Sequence, residues 1–436
     1  MIAWLRSLDP RLPRSVYTLQ VGGLFNAFGN GLILPFLFIY LYNVRGIDTG
    51  TVGLIVATNA IVSMVAGPAM GALVDRVGGR AMLGASLVFL AAGYALFTIV
   101  TVPWQGFFAS AVTGIGNGGF WPAQSTLIAG LTPAERRPAA WGMQRVTMNL
   151  GIGLGALVGG LIATTENTTS FAVLFLGDAA TFLVYLVVLF ALVPEPAHGG
   201  ARGSRSGTYS DVLRHRAFLG LLGVNTLFIF AGFSGFELLP VYAKNEASVG
   251  EQAIGIVFLV NTIVIVLAQL PITKLSEGHR RMRTLALLGI LWAASWLLVP
   301  FAGWWVTGAA AALLLIVAMS VFAIGECLHG AVYGPLVADL ADTRLVGRYM
   351  ALSALSWQLG FALGPAIGGF VLGGSPVAVW FGAAALCVAG SACALALEAA
   401  LPQRLRRTPV AEPPPPRSAG ASELPPAGVP AGGTPQ

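Results

Sequence analysis

Charge is what this sequence has least of. Only 10% of its 436 residues are Asp, Glu, Lys or Arg, against about 25% in a soluble domain, while 56% are hydrophobic. A water-soluble chain of this length has no way to hide that much apolar surface, so the composition places it in a membrane. Cysteine and histidine are scarce as well. The three cysteines, Cys327, Cys387 and Cys393, all lie in apolar stretches. They give neither a disulfide framework nor a metal-ligand spacing and read as helix-packing residues. The four histidines, His198, His215, His279 and His329, are scattered, and no loop is long enough to hold a folded domain. A membrane-embedded enzyme, which needs clustered catalytic groups, is thereby the remote alternative. The net charge of +6 sits in short loops and termini rather than on one face. It reads as a topology signal at the membrane surface, not as a nucleic-acid site.

What the chain does have is a succession of long apolar runs. A spanning helix needs about 20 mainly apolar residues. Twelve segments qualify, at about 15–43, 51–74, 81–101, 104–130, 139–164 and 170–193, then 216–243, 252–275, 284–302, 305–338, 347–374 and 376–400. The breaks between them carry Gly, Pro or charge, as in Asp75 to Arg80, Thr132 to Pro138 and Gly278 to Arg283. With both termini cytoplasmic, 21 of the 24 Lys and Arg fall in inside segments. Two, Arg45 and Lys244, fall outside, and Arg145 lies within a helix. One helix more or fewer would scramble that alternation. The run after Arg6, Arg11 and Arg14 is too long for a signal peptide, so the first helix is expected to be retained.

This predicts an all-α membrane protein: a cytoplasmic N-terminus (1–14), a six-helix bundle (15–193), a small, polar and basic linker (194–215), a second six-helix bundle (216–400) and a tail (401–436). The tail is rich in Pro, Ala and Gly and is expected to be disordered. The two bundles are related. Gly116 to Gly160 aligns without gaps on Gly325 to Gly369 at a constant offset of 209 residues, pairing Gly151 with Gly360, Gly155 with Gly364 and Gly160 with Gly369. The blocks cover helices four to five and ten to eleven, so the repeat is parallel in the membrane. Its small residues, spaced near four, allow close helix approach. Static packing and a rocking seam are both compatible with them. Pro35 and Pro240 stand in matching Leu-Pro pairs and are expected to bend the first and seventh helices.

The loop after the second helix reads Gly71-Ala-Leu-Val-Asp75-Arg76-Val-Gly78-Gly-Arg80. It resembles the conserved loop motif of the major facilitator superfamily, departing from it at Gly79, where a basic residue is usual. Around Glu326 in the tenth helix, with Asp339-Leu-Ala-Asp and Gly347-Arg348 beyond it, the chain looks like bacterial twelve-helix multidrug/proton antiporters. The helix-four arginine of many such exporters is matched here by Ser110, and their Gly-Pro pair by Gly155-Ala156. The resemblance implies a secondary active transporter of the cell membrane that exports an amphiphilic small molecule or drug by proton-coupled alternating access. It also implies a monomer among membrane lipids, with no cofactor and no metal, driven by the proton gradient. A lipid flippase or metabolite importer of the same fold is the alternative. In such transporters the motif aspartate binds the start of helix eleven and nearby basic groups. This carries a conformational gating role onto Gly71, Asp75, Arg76, Gly78 and Arg80, with Arg145 as a further partner. No phosphate-cradling loop is present, which disfavours ATP as the energy source.

Ionisable groups at bilayer depth cost about 2.5–3.5 kcal/mol on insertion scales, so each asks for a reason. Glu326, about 20 Å from Asp339 at 1.5 Å per residue, falls near mid-membrane and is the leading proton-coupling candidate. Glu237, nearer the outer end of helix seven, and His329, one turn from Glu326, join it. A neutral hydrogen-bonded carboxyl at Glu326 and a packing or relay histidine at His329 remain open. Asp178 in helix six reads as a packing residue with a hydroxyl or Arg partner. Asn26, Asn30, Asn117, Trp121, Tyr333, Trp357 and Gln358, with Phe25 and Phe28, are candidates to line a substrate cavity; rings with a few amides suit an amphiphile better than a sugar.

Overall fold

The computed structural model describes residues 12–133, 136–195, 209–342 and 345–409, without the side chains of Asp75, Pro138 and Val346. Most of the expected N-terminal segment, the middle of the linker and the tail from 410 onward lie outside these residues.

Twelve long helices form the described chain. They are α1 (Arg14–Ile33, resuming as Leu37–Ile39 and a π-helical turn, Tyr40–Val44), α2 (Thr49–Val77), α3 (Gly79–Phe97), α4 (Pro103–Leu131), α5 (Arg137–Ile162) and α6 (Thr168–Leu192), then α7 (Arg216–Asn245), α8 (Glu251–Leu275), α9 (Arg281–Leu298), α10 (Gly308–Leu340), α11 (Val346–Gly374) and α12 (Ala378–Leu397). Eleven are long and apolar enough to cross a membrane; α4, at 29 residues, is long enough but diluted by Gln105, Asn117, Gln124 and a run of glycines.

Local chemistry sets the ends. The Asp48 carboxylate accepts from Thr51 N at 2.9 Å and caps α2, and Asn167 does the same for α6 through Thr169 N at 2.9 Å, each satisfying a free N–H of the first turn. Pro103 opens α4 at its first position, where its missing N–H costs nothing. Gly78, at φ 91°, ends α2 in a conformation that other residues rarely adopt. Pro35 interrupts α1, whereas α7 continues unbroken through Pro240. In α1 the Leu34–Phe36 turn and the π turn after it absorb the change of direction.

The packing repeats with a period of six helices. In the first half α1 packs on α5 and α6, α2 on α4, and α3 on α4 and α6. In the second, α7 packs on α11 and α12, α8 on α10, and α9 on α10 and α12. Two pairs make most of the contact between the halves, α2 with α11 and α5 with α8, and the same shift exchanges them.

The repeated glycines divide between two jobs. Gly151, Gly155 and Gly159 lie against the backbone of α1, and Gly360, Gly364 and Gly368 against α7. These are contacts inside each bundle, tight enough that an added side chain would press on the neighbouring helix. Gly160 instead meets Glu251 and Gly255 of α8, and Gly369 meets Thr49 and Gly53 of α2. Those two sit on the seam. Close approach of this kind lets van der Waals contact replace the absent hydrophobic drive between helices in lipid.

The seam contacts gather at one end of the molecule, the face opposite the basic loops. There Asn43 Nδ2 donates to Asn245 Oδ1 at 2.6 Å and Thr165 N to Glu251 Oε1 at 3.2 Å, while Lys244 pairs with Glu251 at 2.7 Å. At mid-height Gln358 of α11 donates to Ser63 of α2 at 3.1 Å, and Arg145 of α5 touches Gly330 of α10. One turn nearer the basic face, a side chain added at Gly142 on α5 or Gly334 on α10 would meet no neighbour within 4 Å. The contacts named between the bundles thus lie at the opposite face and at mid-height.

Candidate functional site

The middle of α10 carries the densest chemistry. Its Glu326 is half-buried, and Oε2 accepts from Asn261 Nδ2 of α8 at 3.4 Å; the same amide also donates to Met319 O at 3.2 Å. Asn261 went unremarked in the sequence although it is an amide inside the apolar run of α8, which was the available signal. On the seam side stands Arg145. Its guanidinium lies against Gly330, and its charge acts on Glu326, Cys327 and His329. The sequence grouped Arg145 with the loop motif through Asp75, whose side chain lies outside the described residues; in the structure Arg145 also lies against Gly330 of α10.

His329 turns the other way. Its Nε2 lies 2.7 Å from Asn225 Oδ1 of α7, and the Asn225 amide donates to Ser356 Oγ of α11 at 2.7 Å. With the amide nitrogen so engaged, the ring nitrogen is the donor to its oxygen. Tyr333 OH completes the set, 2.9 Å from Ser353 Oγ and 3.2 Å from Ser356 Oγ. The imidazole is stacked on Tyr333 and met edge-on by Trp357. His329 and Glu326 thus share a helix but not a hydrogen bond. Tyr333 and Trp357 belong to this network, whose amide and hydroxyl partners the sequence reading missed.

The first half is built from amides. Asn117 Nδ2 donates to Asn59 Oδ1 at 3.1 Å and Asn59 Nδ2 to Thr113 Oγ1 at 2.6 Å, tying α4 to α2. Of the other cavity candidates, Phe25 and Trp121 are exposed, Phe28 and Asn30 half-buried, and Asn26 is buried with no partner for Oδ1. Glu237 on α7 is half-buried, and its Oε2 has no partner. Asp178 is fully buried against Gly29 of α1, with Thr181 Oγ1 3.4 Å from Oδ1 and Oδ2 unpaired. Its neighbour is a hydroxyl, and no cation pairs with it among the described residues.

The loop motif is held from within its own bundle. Arg80 N donates to Glu195 Oε2 at 3.1 Å, and Arg80 Nη2 donates to Phe190 O at 2.6 Å, its guanidinium over the Phe190 ring. Gly71 faces open space, and Arg76 is exposed. The proposed partners of Asp75 involve a side chain outside the described residues. Glu195, just past the end of α6, was not foreseen. The second half repeats the device: Glu398, just past α12, accepts from Arg280 of the α8–α9 loop at 2.8 Å.

Known proteins match this geometry and this chain. Over 417 residues it is 24% identical to a Na(+), Li(+), K(+)/H(+) antiporter of Planococcus maritimus, covering 87% of this chain and 91% of that one. It is 25% identical over 358 residues to the multidrug resistance protein MdtH of Cronobacter sakazakii, covering 81% and 86%. Among solved structures, the nucleoside transporter NupG superposes with a TM-score of 0.75 at 12% identity, covering 88% of this chain and all of that one. A POT family transporter superposes at 0.74 and 16% identity, covering 89% and 96%. The family model for the Major Facilitator Superfamily matches twice, over residues 19–311 and 238–431. With twelve helices in two halves that repeat one packing scheme, the chain is a multi-pass membrane transporter, not an enzyme, and belongs to the Major Facilitator Superfamily.

Proposed function

We propose that this protein exports an amphiphilic small molecule from the cell in exchange for protons, by alternating access. The observation that carries the reading is Glu326. It is a carboxyl near mid-membrane, held by the neutral Asn261 amide and in the field of a cation from the opposite bundle. Such a group can take a proton from one side and release it on the other, and its two protonation states favour different bundle arrangements. Glu237, whose carboxyl oxygen lacks a partner nearer the opposite face, serves as the outer relay.

The basic face carries most of the Lys and Arg, so the positive-inside rule makes it cytoplasmic, with both termini there and the surrounding bilayer the cell membrane. The contacts named between the bundles then lie at the outer face and at mid-height, as an inward-open state requires. The printed names of the relatives support exchange: one is a cation/proton antiporter, another a multidrug resistance protein.

The test is transport by the purified protein in proteoliposomes, with ethidium as the probe and an imposed pH gradient. Ethidium accumulates against its gradient while the pH difference persists and leaks back when nigericin collapses it. Movement indifferent to the pH difference overturns the proposal. A parallel arm loaded with K+ decides whether the same carboxyl exchanges protons for an alkali cation, the reading that the antiporter relative favours.

A further inference from the structure

Arg145 is a cation at the bundle seam whose guanidinium has no partner among the described residues. Its side chain is exposed. A methyl built at Gly330 would stand 2.7 Å from both terminal nitrogens and 2.9 Å from Cζ, so the guanidinium lies flat against a stretch of α10 that only glycine leaves clear. No hydrogen bond or ion pair engages that guanidinium among the described residues; the backbone carbonyl alone is used, by Asn149 at 2.8 Å. Glu326, one turn away on α10, makes no ion pair with it; its Oε2 accepts from Asn261 of α8. Just beyond, toward the basic face, a side chain added at Gly142 or Gly334 would meet no neighbour within 4 Å.

A guanidinium presents its donors in a fixed planar fork that matches a carboxylate in two parallel bonds. Here that fork has no partner among the described residues, and the side chain is exposed. The carboxyl of Glu326 stands four residues along the helix from Gly330, about 6 Å of rise. Tyr333 and Trp357 pack on His329, one turn along α10 from Glu326. The geometry points to a zwitterionic amphiphile as the substrate class, its carboxylate on Arg145 and its ammonium on Glu326. This rests on the reading of Glu326 as the exchanging carboxyl and adds what that reading lacks, the charge pattern of the substrate. A proton arriving on Glu326 displaces the ammonium and leaves the carboxylate held at one point only. Proton and substrate then compete for one group, as exchange requires.

Nα-dansyl-L-lysine suits the test, because its ammonium and carboxylate are separated by the lysine stem and its ring system reports binding by fluorescence. Its methyl ester is the matched cation, and its Nε-acetyl derivative the matched anion. Titrated into the purified full-length protein in nanodiscs, the zwitterion binds about tenfold more tightly than either relative. Arg145→Gln brings the zwitterion down to the level of the ester and leaves the ester itself unchanged. Glu326→Gln brings it down to the level of the anion, and Arg145→Lys restores part of the loss. Gly330→Ala, which pushes the guanidinium aside without removing its charge, weakens both carboxylate-bearing probes and decides the matter if Arg145→Gln fails to fold. A wild-type protein without preference for the zwitterion, or an Arg145→Gln variant that binds all three probes as wild type does, overturns the assignment. Ethidium exchange driven by the pH difference is measured on the same preparation. Its persistence in either case shows that the substrate class has failed while proton exchange stands.

Discussion

Gly160 of α5 and Gly369 of α11 occupy equivalent places in the two halves, and each lets its helix touch a helix of the other bundle: Gly160 meets Gly255 of α8, and Gly369 meets Gly53 of α2. Both contacts are glycine on glycine, and both lie toward the face opposite the basic loops. A few residues earlier, Gly155 and Gly364 pack only inside their own bundles. One repeated motif therefore supplies a contact within each bundle and a contact between the bundles.

Substitution separates the two contacts. Gly160→Leu or Gly369→Leu forces the seam apart at the opposite face, while the intrabundle packing is left alone. The expected outcome is normal insertion and yield, turnover lowered about tenfold, and a longer distance between spin labels on the α1–α2 and α7–α8 loops. Gly155→Leu drives a side chain into the α1 backbone, and overpacking of that kind costs about 1–3 kcal/mol or more. Its expected signature is a lower unfolding temperature in detergent. Loss of folded protein from Gly160→Leu and not from Gly155→Leu would reverse the assignment.

The loop motif is expected to work through charge at its aspartate and through anchoring at its arginine. Asp75→Asn keeps size and removes charge, so the protein inserts normally but turns over more slowly, a carboxylate near a helix N-terminus being worth about 0.3–1 kcal/mol when exposed. Glu195→Ala releases the backbone of Arg80, and amide exchange across the α2–α3 loop should quicken. Unchanged transport rates for Asp75→Asn in reconstituted vesicles would show that the charge does not hold a conformational state.

His329 is expected to be structural rather than a carrier of protons. Asn225→Leu leaves its ring nitrogen without its buried partner, at about 1–3 kcal/mol, while the Ser356 hydroxyl keeps Ser353 O and Tyr333 OH. The unfolding temperature should fall by several degrees, while proton-driven exchange in the folded fraction stays within about twofold of wild type. A collapse of proton exchange with stability intact would put His329 back on the proton path.

The twelve helices were legible because spanning segments announce themselves by length, and their order by the placement of Lys and Arg in alternate loops. The 209-residue repeat was legible for a similar reason, since glycine spacing survives in sequence as a pattern. Partners were not. Asn261 with Glu326, Asn225 with His329 and Glu195 with Arg80 each join separate helices or a helix end and a loop. Choosing among them needs the rotation of each helix about its axis. Amphipathic periodicity fixes that rotation in a soluble bundle, but helices such as α10 are apolar nearly all round and leave it undetermined. Arg145 shows the consequence: its depth in α5 was readable, its approach to Gly330 in the other bundle was not.

Glu326→Gln is the decisive substitution for proton exchange. Glutamine keeps the length of the side chain and can still meet Asn261, so the α8–α10 contact survives, but it cannot take up or release a proton. Exchange driven by the pH difference should vanish, while downhill movement of ethidium persists with weaker binding, since differential binding by two protonation states is what joins the proton to the bundle motion. Asn261→Leu offers the complementary change. It strips the carboxylate of its one hydrogen-bond donor among the described residues, which makes the ionised form costlier at that depth. Proton release from Glu326 then requires a higher pH, and the pH at which exchange is half-maximal should rise. Stopped-flow measurement of proton flux across a pH series checks both. If the Gln variant still concentrates ethidium using the pH difference alone, the carrier is another carboxyl, and Glu237, whose buried oxygen has no partner, is the next to replace.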